Sequence, residues 1–428
     1  MPLPLFQDHR AHVDVILRAA LRAADPAEAV RRGWPQAEIE SARRVRLVAV
    51  GKAGVRMAQA AAELLGSRLE RGLVAAPAGV APGLAPRLDL IPAGHPLPTD
   101  GSLRAGQLAA ELLAGLAAHD LALVLLSGGG SALFEHLAPG LTLDDLQALN
   151  ALLLRSGAPI QEVNCVRKHL SRVKGGGLAR LAAPARVAAL ILSDVVGDPL
   201  DVIASGPTVP DPTTVHEARV ILRRYRINLP KIEAALAETP KPGDPVFARV
   251  LNRLVGSNAL ARQAAAEAAR ELGFDVALPP RVIQGEAREI GREIAREIAR
   301  EIEIARESPR FPRAEIFGGE STVTVRGRGV GGRNQELALA AAIELRHAPG
   351  RIVIASFGTD GVDGPTPAAG AVVTPDTARQ AAALGLDLDA ALAENDSHTA
   401  LARLGATLVT GLTGTNVNDL VLALAYPA

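Results

Sequence analysis

The chain has 428 residues, 48% hydrophobic and 21% charged, with 46 basic and 46 acidic side chains. That length exceeds what one core sustains, and the composition is that of a soluble globular protein, so at least two domains are expected. Zero net charge leaves no footprint for nucleic acid or a membrane surface. No apolar run reaches a membrane span and the N-terminus lacks the form of a signal peptide, so a cytoplasmic protein is expected.

Residues 8–32 predict one or two amphipathic helices, broken near Asp25-Pro26. Val45–Val50 predicts a strand ending in Gly51-Lys52-Ala53-Gly54, with an alanine-rich helix to about Leu65. That puts the Lys52 ammonium at a strand's carboxyl end, where α/β proteins keep their sites. A cation is disfavoured at a helix N-terminus unless an anion joins it; a solvated lysine is the plainer alternative. Only five lysines stand against 41 arginines, and Lys52, Lys168 and Lys174 each lie beside glycine-rich segments. Leu73–Ala76 and Leu88–Ile91 read as short strands. After the rigid loop Gly94–Asp100, Thr99 or Asp100 caps a helix to about Ala117.

Leu121–Leu126 is uninterruptedly apolar, as in a strand buried on both faces of a parallel sheet. It breaks into Ser127-Gly128-Gly129-Gly130-Ser131, where three glycines remove every Cβ that would fend off a ligand. Strand, glycine loop and helix start together hold anions, usually phosphate. A tight turn without ligand is the competing reading, weakened because similar turns recur down the chain. Helices follow at about 142–155 and 159–172. The second carries Arg167, Lys168 and Arg172, which cannot share one helix face: some are solvated and the remainder could line a phosphate site. The lone Cys165 excludes an internal disulfide and reads as a small core residue. Val187–Leu192 is another buried strand, delivering Asp194 beside glycine, a carboxylate suited to magnesium. For Asp198 and Asp201, turn capping is the preferred reading. Residues 207–245, with seven prolines, read as the connection between domains 1–245 and 246–428.

From Val250 the βα alternation restarts. Gly256-Ser257-Asn258 leads into a helix, and Phe274–Leu278 reads as a strand. The Arg-Glu-Ile repeat at 285–307 predicts one long surface helix. Glu315–Val325 carries Gly319-Glu320-Ser321, and a glycine-rich stretch delivers Arg333 at a helix start. Arg351–Phe357 opens onto Gly358-Thr359-Asp360-Gly361. A loop with Asn416, Asn418 and Asp419 precedes the final strand, Leu420–Ala425. Carboxylates for a metal, cations and backbone amides are the kit for phosphoryl transfer. The P-loop pattern is absent, as is G-x-G-x-x-G after a strand in the first half, and no pair of histidines or cysteines has zinc spacing.

Gly51-Lys52-Ala53, Gly94-His95-Pro96, Ser127–Leu133, Asn164–Ser171 with Lys174–Leu178, Ser193–Asp198 and Ser205–Thr208 resemble, in order, the bacterial and archaeal glycerate 2-kinases. So do Gly319–Thr322, Gly331–Glu336, Gly358–Gly361 and Gly414–Asp419. These are the class II, MOFRL-type glycerate kinases, often labelled hydroxypyruvate reductases. The resemblance implies two α/β three-layer domains, a Rossmann-like, mainly parallel N-terminal one and a second C-terminal one, with the active site in the cleft between them. It implies ATP-dependent phosphorylation of D-glycerate at its 2-hydroxyl, with Mg²⁺ or a similar divalent cation. The family's lysine and arginine fall on Lys52 and Arg333 and its cleft aspartate on Asp360. Ser127, Gly128, Gly129, Gly130, Ser131, Lys168, Asn258, Glu320 and Asn416 are the candidate binding residues, and Asp194 and Asp360 the candidate metal ligands. The competing readings are an NAD(P)H-dependent hydroxypyruvate reductase and a non-catalytic phospho-sugar sensor. The sequence is compatible with a homodimer.

Overall fold

In the computed structural model, which describes residues 4–79, 85–305, 312–348 and 351–427, the chain forms two compact units. One comprises Pro26–Val255 and the other Met1–Asp25 with Gly256–Ala428.

The first unit is built on the strands β1 (Val45–Val50), β2 (Leu69–Pro77), β3 (Leu88–Ala93), β4 (Leu121–Leu126), β5 (Arg186–Leu192) and β6 (Val250–Gly256). Their order is β3-β2-β1-β4-β5-β6, and the neighbours from β3 to β5 are parallel. All six residues of β4 are buried, as an apolar run covered on both faces requires. Val50 is in register with Leu126, and Leu126 with Ile191, so the loops after β1, β4 and β5 leave the same edge of the sheet. That edge carries the expected anion loops.

The strands of the second unit are β7 (Asp275–Ala277), β8 (Val282–Glu286), β9 (Arg313–Thr322), β10 (Arg351–Gly358), β11 (Gly370–Val373), β12 (Thr407–Leu408) and β13 (Asp419–Tyr426). The sheet is mixed, ordered β12-β11-β10-β13-β9-β7, with β8 also pairing β9. β13 runs antiparallel to both neighbours and β7 parallel to β9. β8 and β11 were not expected: β8 buries only Ile283 of its five residues, and β11 is a four-residue run opened by glycine.

Three expectations need correction. The first 25 residues belong with the second unit. Helix His9–Ala23 buries Val13, Ile16, Leu17 and Ala20 and runs along helix Asn258–Glu271. Thr415 Oγ1 holds the Ala24 carbonyl at 2.6 Å. The break at Asp25-Pro26 is therefore a crossing between units. The proline-rich stretch 207–245 is not a connection. Its helices Val215–Arg224 and Pro230–Ala235 bury Ala218, Ile221, Leu222 and Ile232 against Leu149, Val163, Cys165 and Val166. The repeat helix, Ala287–Ala305, is not only surface. A four-residue period stacks Ile290, Ile294, Ile298 and Ile302 on one face, packed on helix Arg333–Glu344. Residues 306–307 of the repeat lie outside the described residues.

Candidate active site

Two loops of the first unit are stitched together where β1 and β4 end. Ser127 N–H donates to the Val50 carbonyl at 2.9 Å, Lys52 N–H to the Gly128 carbonyl at 2.9 Å, and Ala53 N–H to Ser127 Oγ at 3.1 Å. Ser127 is therefore a buried clasp between the loops. Gly51, at φ +123°, has no room for a side chain, because a Cβ would sit 2.2 Å from Ser127 Oγ. The three following glycines leave space that other groups occupy. A Cβ on Gly128 would lie 1.9 Å from Asp194 Oδ2, one on Gly129 2.8 Å from the His95 ring and 3.4 Å from Lys52 Cε, and one on Gly130 2.7 Å from Ala204 Cβ. Asp194, His95 and Lys52 thus crowd a bare backbone loop. Lys52 is exposed and forms no ion pair among the described residues. Burial, and then the Lys52 charge, hold the His95 imidazole below its usual pKa, so it is neutral at pH 7.

The neighbouring cations divide sharply. Lys168 is buried and reaches Asp201 at 3.3 Å and Asp211 at 3.4 Å, so its charge is taken by the protein. Asp211 is itself tied to Thr213 and Thr239. Lys174, also buried, pairs with the buried Glu135 and donates to the Phe134 carbonyl at 3.1 Å. Burial lowers its pKa to about 8 against the pull of Glu135. Arg167, adjacent to Lys168, donates from Nη2 to the Ser131 carbonyl at 2.9 Å. Ser131 Oγ in turn meets Ser205 Oγ at 2.7 Å.

In the second unit the helix Arg333–Glu344 begins at Gly332, where a Cβ would lie 2.3 Å from Asp363 Cγ. The buried Asp363 carboxylate accepts the N–H groups of Asn334 at 3.0 Å and Gln335 at 2.8 Å, satisfying the first turn. That fixes the residue before them. Arg333 donates Nε to Asp419 Oδ2 at 2.6 Å and Nη2 to Asp419 Oδ1 at 3.0 Å, and reaches Glu320 with Nη1. Burial opposes its charge, but Asp419 and Glu320 more than offset this and raise its pKa. Burial pushes Asp419 up to about 6, with Arg333 pulling the other way. Arg333 and Asp360 share a cleft of about 580 Å³ with Val325, Val362 and Pro365 on its apolar walls. Asp360 Oδ1 accepts Val362 N–H at 3.1 Å, closing the turn after β10 and leaving its other oxygen available.

Two candidates act as fasteners. Asn258 donates to the carbonyls of Val417 at 2.8 Å and Asp419 at 2.9 Å, pinning the loop before β13. Asn416 Oδ1 accepts Asn418 N–H at 2.9 Å and supports the left-handed turn there. Sequence reasoning missed Asp363 and Asp419 as the groups that aim Arg333, and Arg167 as a neighbour of the glycine loop. Among the described residues no three His, Cys, Asp or Glu side chains gather as a metal cage. Magnesium that travels with nucleotide phosphates needs only one or two carboxylates, a requirement that Asp194 or Asp360 fits. No helix among the described residues is long and apolar enough to cross a membrane.

Residues 12–238 match the family described as a domain of unknown function, DUF4147, and residues 313–419 match the MOFRL family. The chain is 44% identical over 411 residues to the D-glycerate 2-kinase of Thermotoga maritima, covering 96% of each. It is 41% identical over 421 residues to a protein of Agrobacterium vitis named putative hydroxypyruvate reductase, covering 95% of this chain and 92% of that one. A crystal structure of a glycerate kinase from Thermotoga maritima superposes with a TM-score of 0.92 at 43% identity, covering 98% of this chain and 100% of the other.

Proposed function

The chain belongs to the glycerate kinase family, and from that premise we propose that it transfers the γ-phosphoryl group of ATP to the 2-hydroxyl of D-glycerate, with magnesium carried on the nucleotide. The observation that carries this reading is the exposed Lys52 side chain, whose Cε lies beside Gly129 in the bare Gly128–Gly130 loop at the carboxyl edge of a parallel sheet. Phosphoryl transfer needs little covalent chemistry from the protein. It needs positive charge and amide donors where phosphate charge shifts, and a dry, ordered setting. In this reading Lys52 neutralises the transferring group and the glycine loop admits its oxygens. Arg333, held rigid by Asp419, stabilises transition-state charge, while Asp360 accepts the hydroxyl proton or binds the metal. Magnesium, when bound, supplies charge neutralisation on the phosphate oxygens, and Asp194 and Asp360 are the side chains proposed to hold it.

The reductase reading has the name of one relative behind it. It is disfavoured because the turn after β1 reads Gly51-Lys52-Ala53-Gly54, without the dinucleotide fingerprint. One pair of assays separates the two: ADP release from D-glycerate, ATP and Mg²⁺, and NAD(P)H oxidation by hydroxypyruvate. The kinase reading requires the first and fails if only the second proceeds.

A further inference from the structure

Arg167 lies in the last turn of the helix Ile160–Lys168 beside the glycine loop, and its charge is not accounted for. Nη2 donates to the Ser131 carbonyl, and Nε is buried with no partner. The carboxylate that acts on it, Glu135, is already taken by Lys174. The cluster of Arg167, Lys174 and Glu135 therefore holds two cations and one anion. The next residue, Lys168, shows what the fold does elsewhere with a buried cation: it supplies Asp201 and Asp211. A guanidinium partly withdrawn from water, with its Nε buried and no counter-charge of its own, is costly, so a surplus cation beside a ligand loop points to an anion that arrives with the substrate.

We infer that Arg167, with the Ser131 and Ser205 hydroxyls, binds the carboxylate of the hydroxy-acid substrate. The inference rests on the kinase reading above. The planar guanidinium fork can take a carboxylate in two parallel hydrogen bonds, and its position selects a substrate carboxylate over a second phosphate. The two cations also flank one short loop, Lys52 against Gly129 and Arg167 against Ser131. An α-hydroxy acid carries its reacting hydroxyl on the carbon next to its carboxylate, so its two recognition sites must be close neighbours. The buried Ser205, at φ +63°, and the run from Ala204 to Gly206, all at positive φ, hold the second hydroxyl at Ser131 in a backbone conformation that side chains rarely adopt.

The test compares the wild-type chain with Arg167→Gln and Arg167→Lys in ADP-release kinetics, with D-glycerate or its carboxamide as acceptor. Arg167→Gln should raise KM for glycerate by about tenfold to a hundredfold, the value of hydrogen bonds to a charged group. KM for ATP should stay within about twofold, and the preference for glycerate over the amide should shrink, with Arg167→Lys in between. A purely structural role would depress both acceptors alike. An unchanged KM for glycerate, or a rise in KM for ATP instead, overturns the inference. If neither variant folds, the wild type is treated with 2,3-butanedione, a reagent about the size of glycerate. Arg167 should be modified without ligand and protected by glycerate but not by ATP alone; an unreactive or unprotected Arg167 counts against the inference. A wild type that releases no ADP with glycerate refutes the kinase reading itself, a distinct outcome.

Discussion

Gly128→Ala gives a sharp structural prediction. Its added Cβ would lie 1.9 Å from Asp194 Oδ2 and 2.4 Å from Asp194 Cγ, whereas ordinary contact begins near 3.4 Å. Asp194 has to retreat by roughly 1.5 Å, since the repulsive wall leaves no cheaper arrangement. Gly128 does not have a positive φ, so the strain is steric and falls on the carboxylate. Overpacking of this kind costs about 1–3 kcal/mol of stability. Moving a site group by more than 1 Å costs on the order of a hundredfold in rate. The assay is kcat for glycerate-dependent ADP release alongside thermal unfolding. Gly54→Ala is the control two residues past Lys52. Its Cβ meets only ordinary contacts of 3.6 Å and longer, so it should keep full activity and gain about 0.4–1 kcal/mol of stability. If Gly128→Ala turns over like the wild type, the bare loop is a turn without a ligand and the phosphate argument fails.

Lys52→Ala should lower kcat by at least roughly a hundredfold and Lys52→Arg should rescue poorly, because a fork is not a point charge; near-wild-type turnover would make Lys52 a solvated helix-end lysine. The same Lys52→Ala change should raise the pKa of His95, followed by imidazole NMR, because it removes the cation that disfavours the imidazolium while burial is left in place. Asp419→Ala leaves a partly buried guanidinium with Glu320 alone, so it should cost on the order of 3 kcal/mol in denaturant unfolding and lower kcat more than it raises either KM. Asp360→Asn should shift the magnesium requirement upward if the carboxylate binds the metal, and leave it unmoved if the carboxylate is the base.

Much of the fold was legible because it is written in local pattern. The apolar run Leu121–Leu126 reads as a doubly covered strand, and it is one. Glycine loops after such strands fall on one sheet edge in a parallel sheet, so the meeting of Lys52 with Ser127–Ser131 followed from topology. What was not legible depends on residues far apart in the chain. Arg167 and Lys168 are adjacent, and nothing local says which one meets carboxylates. Asp201 and Asp211, 33 and 43 positions away, decide it. Asp419 read as the end of a polar loop, yet it begins β13 and holds Arg333 from 86 positions away. The helix His9–Ala23 carries an apolar stripe that either unit could have covered, and packing against Asn258–Glu271 selects the second.

The account rests on what becomes of D-glycerate. The most direct measurement is a phosphorus and proton NMR time course of the purified full-length chain with D-glycerate, ATP and Mg²⁺. The account predicts stoichiometric loss of the ATP γ-phosphate and a phosphate ester whose phosphorus couples to the single proton on C2, the signature of 2-phospho-D-glycerate. An ester coupled to the C3 methylene protons would contradict the assigned acceptor hydroxyl. Unchanged glycerate, under conditions in which hydroxypyruvate oxidises NAD(P)H, would contradict the kinase reading altogether.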